Sequence, residues 1–302
     1  MATSEPDFAA RVDDLVGSAW VLAALASAAG GGDLTEEHGA LLGAAGYAER
    51  APGGWRLRPA YRRAADHPEA HTLPRRIAAV LREAADAAEG IGEEDNDDIL
   101  VAEGMSSGAD MAGFLDLLAT RVPGFGDLVK QDGLRFLDVG TGIGAVAAAV
   151  IGRAAADARA TGLDIRPSTL ELAADHLSSL GVRDRVDLRE QNVAELAETD
   201  VYDLAWLPLA AIAPKAAAAA LPRLRTALRP GGLLISSTVL RGARQAPAVR
   251  EAAIRWRMAR KNITPWSAVE AVEQLTAAGF CDVQEIETPA RTTALVIACA
   301  PE

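Results

Sequence analysis

The sequence predicts an α/β protein: a doubly wound, mostly parallel seven-stranded sheet closed by an antiparallel C-terminal hairpin, preceded by a small helical domain. Three observations predict it. From residue 135 onward, apolar runs of strand length alternate with Ala- and Leu-rich stretches of helical length. The first run, Arg135-Phe-Leu-Asp-Val, passes directly into Gly140-Thr-Gly-Ile-Gly144 and then into an Ala/Val helix. The last two runs are joined too tightly, around Pro289, to be parallel.

A chain of 302 residues has room for one large domain and a smaller one. Half the residues are apolar and a quarter charged, as in globular proteins rather than disordered ones. The net charge of −12 argues against a general nucleic-acid binder, which carries a basic footprint. Cys281 and Cys299 make neither a disulfide framework nor a metal-ligand spacing; they are expected as free, buried thiols of a reducing cytosol, facing each other across the final hairpin. Four histidines are too few to suggest a metal-assisted enzyme, so no metal is expected. The N-terminus lacks a basic leader. Leu15 to Gly32 is uncharged but rich in Ala, Gly and Ser, follows Asp13 and Asp14, and reads as a short buried helix rather than a membrane span. A cytoplasmic protein is the expectation.

Taken in order, Val12 to Ala28 and Leu34 to Ala45 read as helices. Alternation around Pro52-Gly53-Gly54 predicts a hairpin, and Arg75 to Ala88 an amphipathic helix. Two helices followed by a hairpin resemble a winged helix. A DNA reader would put the second helix's first turn at the phosphates, and here that turn is Thr35-Glu36-Glu37. Arg50, Arg56, Arg58, Arg62 and Arg63 near the hairpin keep DNA binding as a rival. The acidic run Glu93 to Asp98 marks a boundary, giving domains 1–92 and 93–302.

Downstream, Ala145 to Ala156 is a helix, and Ala158 to Leu163 a strand ending at Asp164. Ser168 to Leu180 is a helix closed by Gly181, and Val186 to Leu188 a strand leading to Gln191-Asn192-Val193. Tyr202 to Leu207 is the next strand, followed by a helix from Pro214 to Leu228, the turn Arg229-Pro-Gly-Gly232 and the strand Leu233 to Thr238. Thr264 and Pro265 read as the start of a helix over Ser267 to Ala278, ended by Gly279. Val283–Ile286 and Thr293–Cys299 close the sheet.

Strand, glycine loop, helix, strand, acid is an arrangement that binds a nucleoside. Glycines let the backbone turn sharply beside a helix N-terminus, and Asp164 stands twenty residues beyond Gly144, where a carboxylate reaches ribose hydroxyls. Asp138, two positions before Gly140, would repel a dinucleotide's pyrophosphate but suits a ligand carrying an ammonium and a sulfonium. Capping of the glycine turn by Asp138 is the structural alternative.

Phe136-Leu-Asp-Val-Gly-Thr-Gly-Ile-Gly144 resembles the first motif of class I S-adenosylmethionine-dependent methyltransferases; Leu228-Arg-Pro-Gly-Gly232, Ala278-Gly-Phe280 and the closing strand resemble later parts of that family. The resemblance implies the Rossmann-like methyltransferase fold, S-adenosyl-L-methionine as cofactor and a small-molecule acceptor in specialised metabolism. It implies that Gly140, Thr141, Gly142 and Gly144 lie against the methionine part, that Asp138 assists its ammonium, that Asp164 grips the ribose and that Ile165 packs on adenine. Gln191, Asn192 and Val193 stand where the family contacts the adenine amino group, with a simple loop turn as the alternative. Trp206 would floor the reaction site, against core packing. Met105, in Ala102-Glu-Gly-Met-Ser106 ahead of a helix from Gly108 to Thr120, resembles a substrate-closing segment; a core methionine is the competing reading. Bacterial members use a similar N-terminal module to dimerise and cover the site, which implies a homodimer.

No histidine follows Leu207-Pro208, where plant-like O-methyltransferases keep a base, so no catalytic residue is named. The nucleophile is then intrinsically reactive, or the base comes from the N-terminal module, or Glu103 serves. Between Arg241 and Lys261 seven cations face only Glu251, which reads as a solvated helix face or, through Arg255, as a contact to an anionic substrate. Two rivals stand beside methyl transfer: the same fold and cofactor with non-methylating catalysis, and a regulator that senses the cofactor.

Overall fold

The computed structural model describes residues 7–65, 73–90, 97–239, 248–288 and 293–302. The chain divides into two compact units, Met1–Gly92 and Glu93–Glu302.

The first unit holds α1 (Phe8–Ala29), α2 (Glu36–Ala44), the hairpin β1 (Ala48–Ala51) and β2 (Gly54–Leu57), α3 (Pro59–Ala65) and α4 (Leu73–Glu89). Thr35 caps α2 by accepting a hydrogen bond from His38 N at 3.3 Å. Trp55 from the hairpin lies on α2, where a Cβ at Gly39 would come within 2.0 Å of its ring. Two glycines, Gly39 and Gly43, thus make the seat for the indole, and Leu42, Ala48 and Leu57 complete a small core with Ala28.

α1 departs from the buried helix expected of it. Only Ala26 and Ala28 are buried, while Phe8, Leu15 and Trp20 are 81, 62 and 68 % exposed. Its small residues near the C-terminal end make the inner contacts, so the large apolar side chains are left on the other side. Among the described residues, α1 is also long and apolar enough to cross a membrane by length and composition.

The second unit begins with α5 (Asp97–Arg121) and α6 (Phe125–Lys130). It continues through β3 (Arg135–Val139), α7 (Ala145–Arg153), β4 (Arg159–Asp164), α8 (Pro167–Ser179), β5 (Val186–Glu190) and β6 (Tyr202–Pro208). α9 (Pro214–Ala227), β7 (Leu228–Thr238), α10 (Ala248–Arg260), α11 (Ala268–Ala277), β8 (Cys281–Ile286) and β9 (Ala294–Cys299) follow. The strands form one seven-stranded sheet in the order β5-β4-β3-β6-β7-β9-β8, parallel except that β9 runs antiparallel to β7 and β8. Alternate residues of β3 enter opposite apolar layers, Leu137 and Val139 on one face and Phe136 on the other, so the strand is buried on both sides. From β3 the strand order turns back, β4 and β5 to one side and β6 and β7 to the other. The crevice beyond the C-terminal ends of β3 and β6 is therefore the ligand-binding place of such a sheet.

Four expectations are corrected. α5 is one helix from Asp97, so Ala102–Ser106 is not a segment ahead of it; no proline interrupts that stretch. α11 is capped by Ser267 rather than by Thr264 and Pro265, in a capping box where Ser267 Oγ accepts from Glu270 N at 3.2 Å and Ser267 N donates to Glu270 at 2.7 Å. Arg229–Gly232 is absorbed into β7 as a bulge, since Tyr202 pairs with Leu228 and Leu204 already with Leu233. The two cysteines do sit opposite each other across β8 and β9, but Cys281 is exposed because β8 is the sheet's edge. The Pro289 turn and residues 93–96 of the acidic run lie outside the described residues.

Candidate active site

The loop between β3 and α7 is built on backbone conformation. Gly140, Gly142 and Gly144 take φ of 65, 55 and 74°, a left-handed region that side chains with a Cβ enter at a cost. Thr141 N donates to Leu163 O at 2.8 Å and so ties the loop to the end of β4. Gly162 makes that approach possible: a Cβ there would lie 2.8 Å from Thr141 Oγ1. Sequence reading passed over Gly162, though a lone glycine inside a strand pattern signals just such a close approach.

Asp138 is 1 % exposed. Its Oδ2 accepts from Thr141 Oγ1 at 2.8 Å and from Ala147 N at 3.1 Å, so it caps the first turn of α7. Its Oδ1 is buried with no hydrogen-bond partner. Burial pushes its pKa up to about 7; the bonds from Thr141 and Ala147 oppose the rise, and the nearby Asp164 adds to it. The capping reading is what the bonds show; the second oxygen is left unsatisfied, as a site for a cationic group would require. Thr141, expected at the ligand, is 5 % exposed and spends its hydroxyl on Asp138.

Asp164 ends β4 at 9 % exposure. Its Oδ2 accepts from Gly142 N and its Oδ1 from Arg166 N, each at 3.1 Å. The carboxylate is locked between the loop and α8, and each oxygen keeps a lone pair for a ligand hydroxyl. Beside it Ile165 leaves its side chain 68 % exposed, an apolar surface at the mouth of the loop suited to a flat aromatic base. Gln191 N donates to Asp164 O at 3.0 Å. Asn192 is exposed, but its Oδ1 accepts from Ala194 N at 3.0 Å and makes the turn that was the alternative reading, while Val193 points into the core.

Trp206 lies within β6, which runs on to Pro208, opposite Asp138 in register. It is 6 % exposed and packs near Phe114, with ring centroids 6.3 Å apart, as the core reading expected. Met105 is 40 % exposed on α5 and is not a core residue. Next to it stand two residues that sequence reading missed. A Cβ at Gly104 would lie 2.5 Å from Ile143 of the glycine loop, and one at Gly108 would lie 3.0 Å from Ala145 O. The signal was a G-x-x-x-G spacing, which lets a helix approach closely; here it sets α5 against the loop and the start of α7. Arg255 donates to Glu251 one turn back at 2.8 Å, the behaviour of a solvated helix face, and Arg241 and Arg244 lie outside the described residues. Glu103 is paired with Lys261 at 3.0 Å. His176 is half-buried on α8, and burial lowers its pKa. Among the described residues one group of donors could hold a metal ion, Cys281, Asp282 and Cys299 within 4.8 Å of one another, on the edge hairpin rather than at the loop.

The donor set fits a nucleoside that is positively charged elsewhere: a fixed carboxylate for a ribose, an apolar ledge for a base, and an unsatisfied buried carboxylate oxygen. The comparisons with known proteins agree. Residues 136–232 match the family model of a methyltransferase domain. Among solved structures, the S-adenosylmethionine-dependent methyltransferase SibL in its apo form superposes with a TM-score of 0.67 at 20 % identity, over 98 % of this chain and 100 % of that one. A candidate O-methyltransferase from Nostoc punctiforme gives 0.65 at 20 %, over 99 and 100 % of the two chains. PigF with SAH gives 0.63 at 21 %, over 97 and 99 %. No curated protein matches the sequence. At such identities the structural likeness establishes the fold, and the matched domain lies on the glycine loop and Asp164. Residues 136–232 are thus a methyltransferase domain, and the whole chain shares the fold of methyltransferases.

Proposed function

We propose that this enzyme methylates an oxygen, nitrogen or carbon nucleophile of a small molecule in specialised metabolism, and that it works as a homodimer through a winged-helix-like first unit. The observation that carries the reading is the loop itself. Gly142 N is held by Asp164, Thr141 by Asp138 and Leu163, and Asp138 is left with one free oxygen beneath.

The cofactor, when bound, supplies a methyl group on a sulfonium, already an activated leaving arrangement. The chain's part is binding, orientation and exclusion of water. Asp164 fixes the ribose, Ile165 covers one face of the base, and Asp138 offers its carboxylate to the cationic end. α5, seated on Ile143 and Ala145 through its two glycines, walls the loop. The turn after Pro208 offers no histidine, and Glu103 is occupied by Lys261, so the reading favours a nucleophile that needs no base from this unit.

Support for the dimer comes from α1. Phe8, Val12, Leu15, Val16 and Trp20 recur at helical spacing and are all 40 % exposed or more. Arg11, Asp13 and Asp14 lie within the helix among these side chains, which favours a protein partner over a bilayer. The regulator reading loses support from the same unit: Arg50 is ion-paired with Glu36, and Arg56 with Glu49 at 2.8 Å, so the hairpin's cations are already engaged.

The test is calorimetric titration of S-adenosylmethionine, S-adenosylhomocysteine and NADH into the wild type and Asp164→Ala. Binding of the first two alone, lost in the variant, supports the cofactor site; binding of NADH in their place would overturn it. S-adenosylhomocysteine formed in step with product would exclude non-methylating catalysis.

A further inference from the structure

A second concave site lies at the opposite end of the sheet, where β3, β4, β5 and β6 begin. It is a half-open cleft of about 450 Å³, within the range of small-molecule sites. Its lining is cationic in a chain whose net charge is −12: five arginines face three carboxylates. Two of those carboxylates, Asp187 and Glu198, are consumed by Arg189, at 2.7 and 2.5 Å. Among the lining residues that leaves Arg135, Arg159, Arg183 and Arg185 with Asp184; just outside it, Asp203 accepts from Arg135 N at 2.7 Å and is ion-paired with Arg229.

The four are arranged rather than scattered. Arg135 and Arg159 are partners in register on adjacent parallel strands, both exposed, so two like charges stand directly side by side. Such a pair is unfavourable unless something negative lies between. No described residue hydrogen-bonds the Arg135 guanidinium, and that of Arg159 reaches only the carbonyl of Ala158. Arg183 is held by Val186 O at 2.6 Å, and Arg185 by Ala155 O and Ala158 O at 2.5 and 3.2 Å. Those carbonyl bonds fix the two guanidiniums without neutralising them, and each keeps further N–H donors. Pre-positioned guanidinium forks are what a phosphate or polyphosphate group requires.

We propose that this basin binds a phosphate-bearing small molecule, whose anionic oxygens bridge Arg135 and Arg159 and are flanked by Arg183 and Arg185. The site is distinct from the cofactor crevice, which lies at the other ends of the same strands, and does not rest on methyl transfer. A duplex nucleic acid is the lesser fit, because the recess is concave and the molecule around it acidic.

Pyrophosphate and tripolyphosphate are titrated calorimetrically at matched ionic strength into the wild type, Arg135→Gln/Arg159→Gln, Arg135→Lys/Arg159→Lys and Arg62→Gln/Arg63→Gln. The expected result is saturable one-to-one binding by the wild type, weakened about tenfold or more, some 1.4 kcal/mol, in the glutamine pair and unaltered in the Arg62/Arg63 control. The lysine pair retains charge and fold but loses the fork, and is expected to bind more weakly than the wild type. Equal binding by the glutamine pair, no saturation at millimolar ligand, or tighter binding of a short DNA duplex through the same two arginines would each overturn the proposal.

Discussion

Asp138 uses its two oxygens differently. Oδ2 caps α7, and Oδ1 is buried without a partner, a cost that a cation would relieve. Since its pKa in the folded chain stands near 7 against an ordinary 3.8, the unfolded chain gives up this proton first as pH rises. Between those values the folded state holds the extra proton, so this residue's contribution is full below about 3.8 and is lost as pH climbs to about 7. Melting temperatures from pH 5 to 8 should show that decline in the wild type and not in Asp138→Asn. A cationic ligand favours the ionised carboxylate, so binding of S-adenosylmethionine at pH 6 should release a proton. The calorimetric enthalpy would then depend on the buffer's ionisation enthalpy, and in Asp138→Asn it should not. For Asp164→Ala, two backbone N–H donors lose their acceptor, along with the ribose contact proposed for it. Cofactor affinity should fall by about a hundredfold, on the order of one strong charge-assisted hydrogen bond.

At the scale of elements, α5 depends on what its glycines leave out. In Gly108→Ala the new methyl meets Ala145 O at 3.0 Å and Ala145 Cβ at 2.9 Å, backbone and near-backbone atoms that cannot rotate away. Overpacking of this kind costs about 1–3 kcal/mol, only partly offset by the ~1 kcal/mol that alanine gains over glycine in a helix. Urea denaturation should show a net loss of stability, and cofactor affinity should fall because the loop shifts with α7. Ser267→Ala removes half of a capping box at α11 and should cost about 1 kcal/mol by the same measurement. Most elements were legible from apolar spacing and punctuation: Gly181 and Gly279 stop helices where local chemistry requires. What escaped was decided across the chain. Arg229–Gly232 reads locally as a turn and becomes a bulge because β6 supplies the ladder. Ala102–Ser106 reads as a segment ahead of a helix and lies inside α5, where Gly104 and Gly108 let the helix approach Ile143 of the loop and Ala145 of α7.

At the scale of the molecule, each unit presents a patch of one character, the exposed apolar stripe of α1 in the first and the arginine basin in the second. If the stripe is where two copies meet, Leu15→Glu/Trp20→Glu should sediment as a monomer at micromolar concentration where the wild type is a dimer, with cofactor binding retained by the second unit.

The sequence by itself determined the order of strands and helices, the glycine loop and the acid at the end of the next strand, because turns, caps and alternating burial are local and the loop's spacing is short. It also pointed to a ligand without phosphate at the loop, through the charge of Asp138. Only the tertiary structure decided how that carboxylate divides between Ala147 and an unmet oxygen, that Trp206 belongs to the core, that Arg255 answers Glu251, and that Arg135 and Arg159 stand side by side. Those depend on which strands pair and in what register, and residues far apart in the chain acquire their charges' neighbours only when the sheet is assembled.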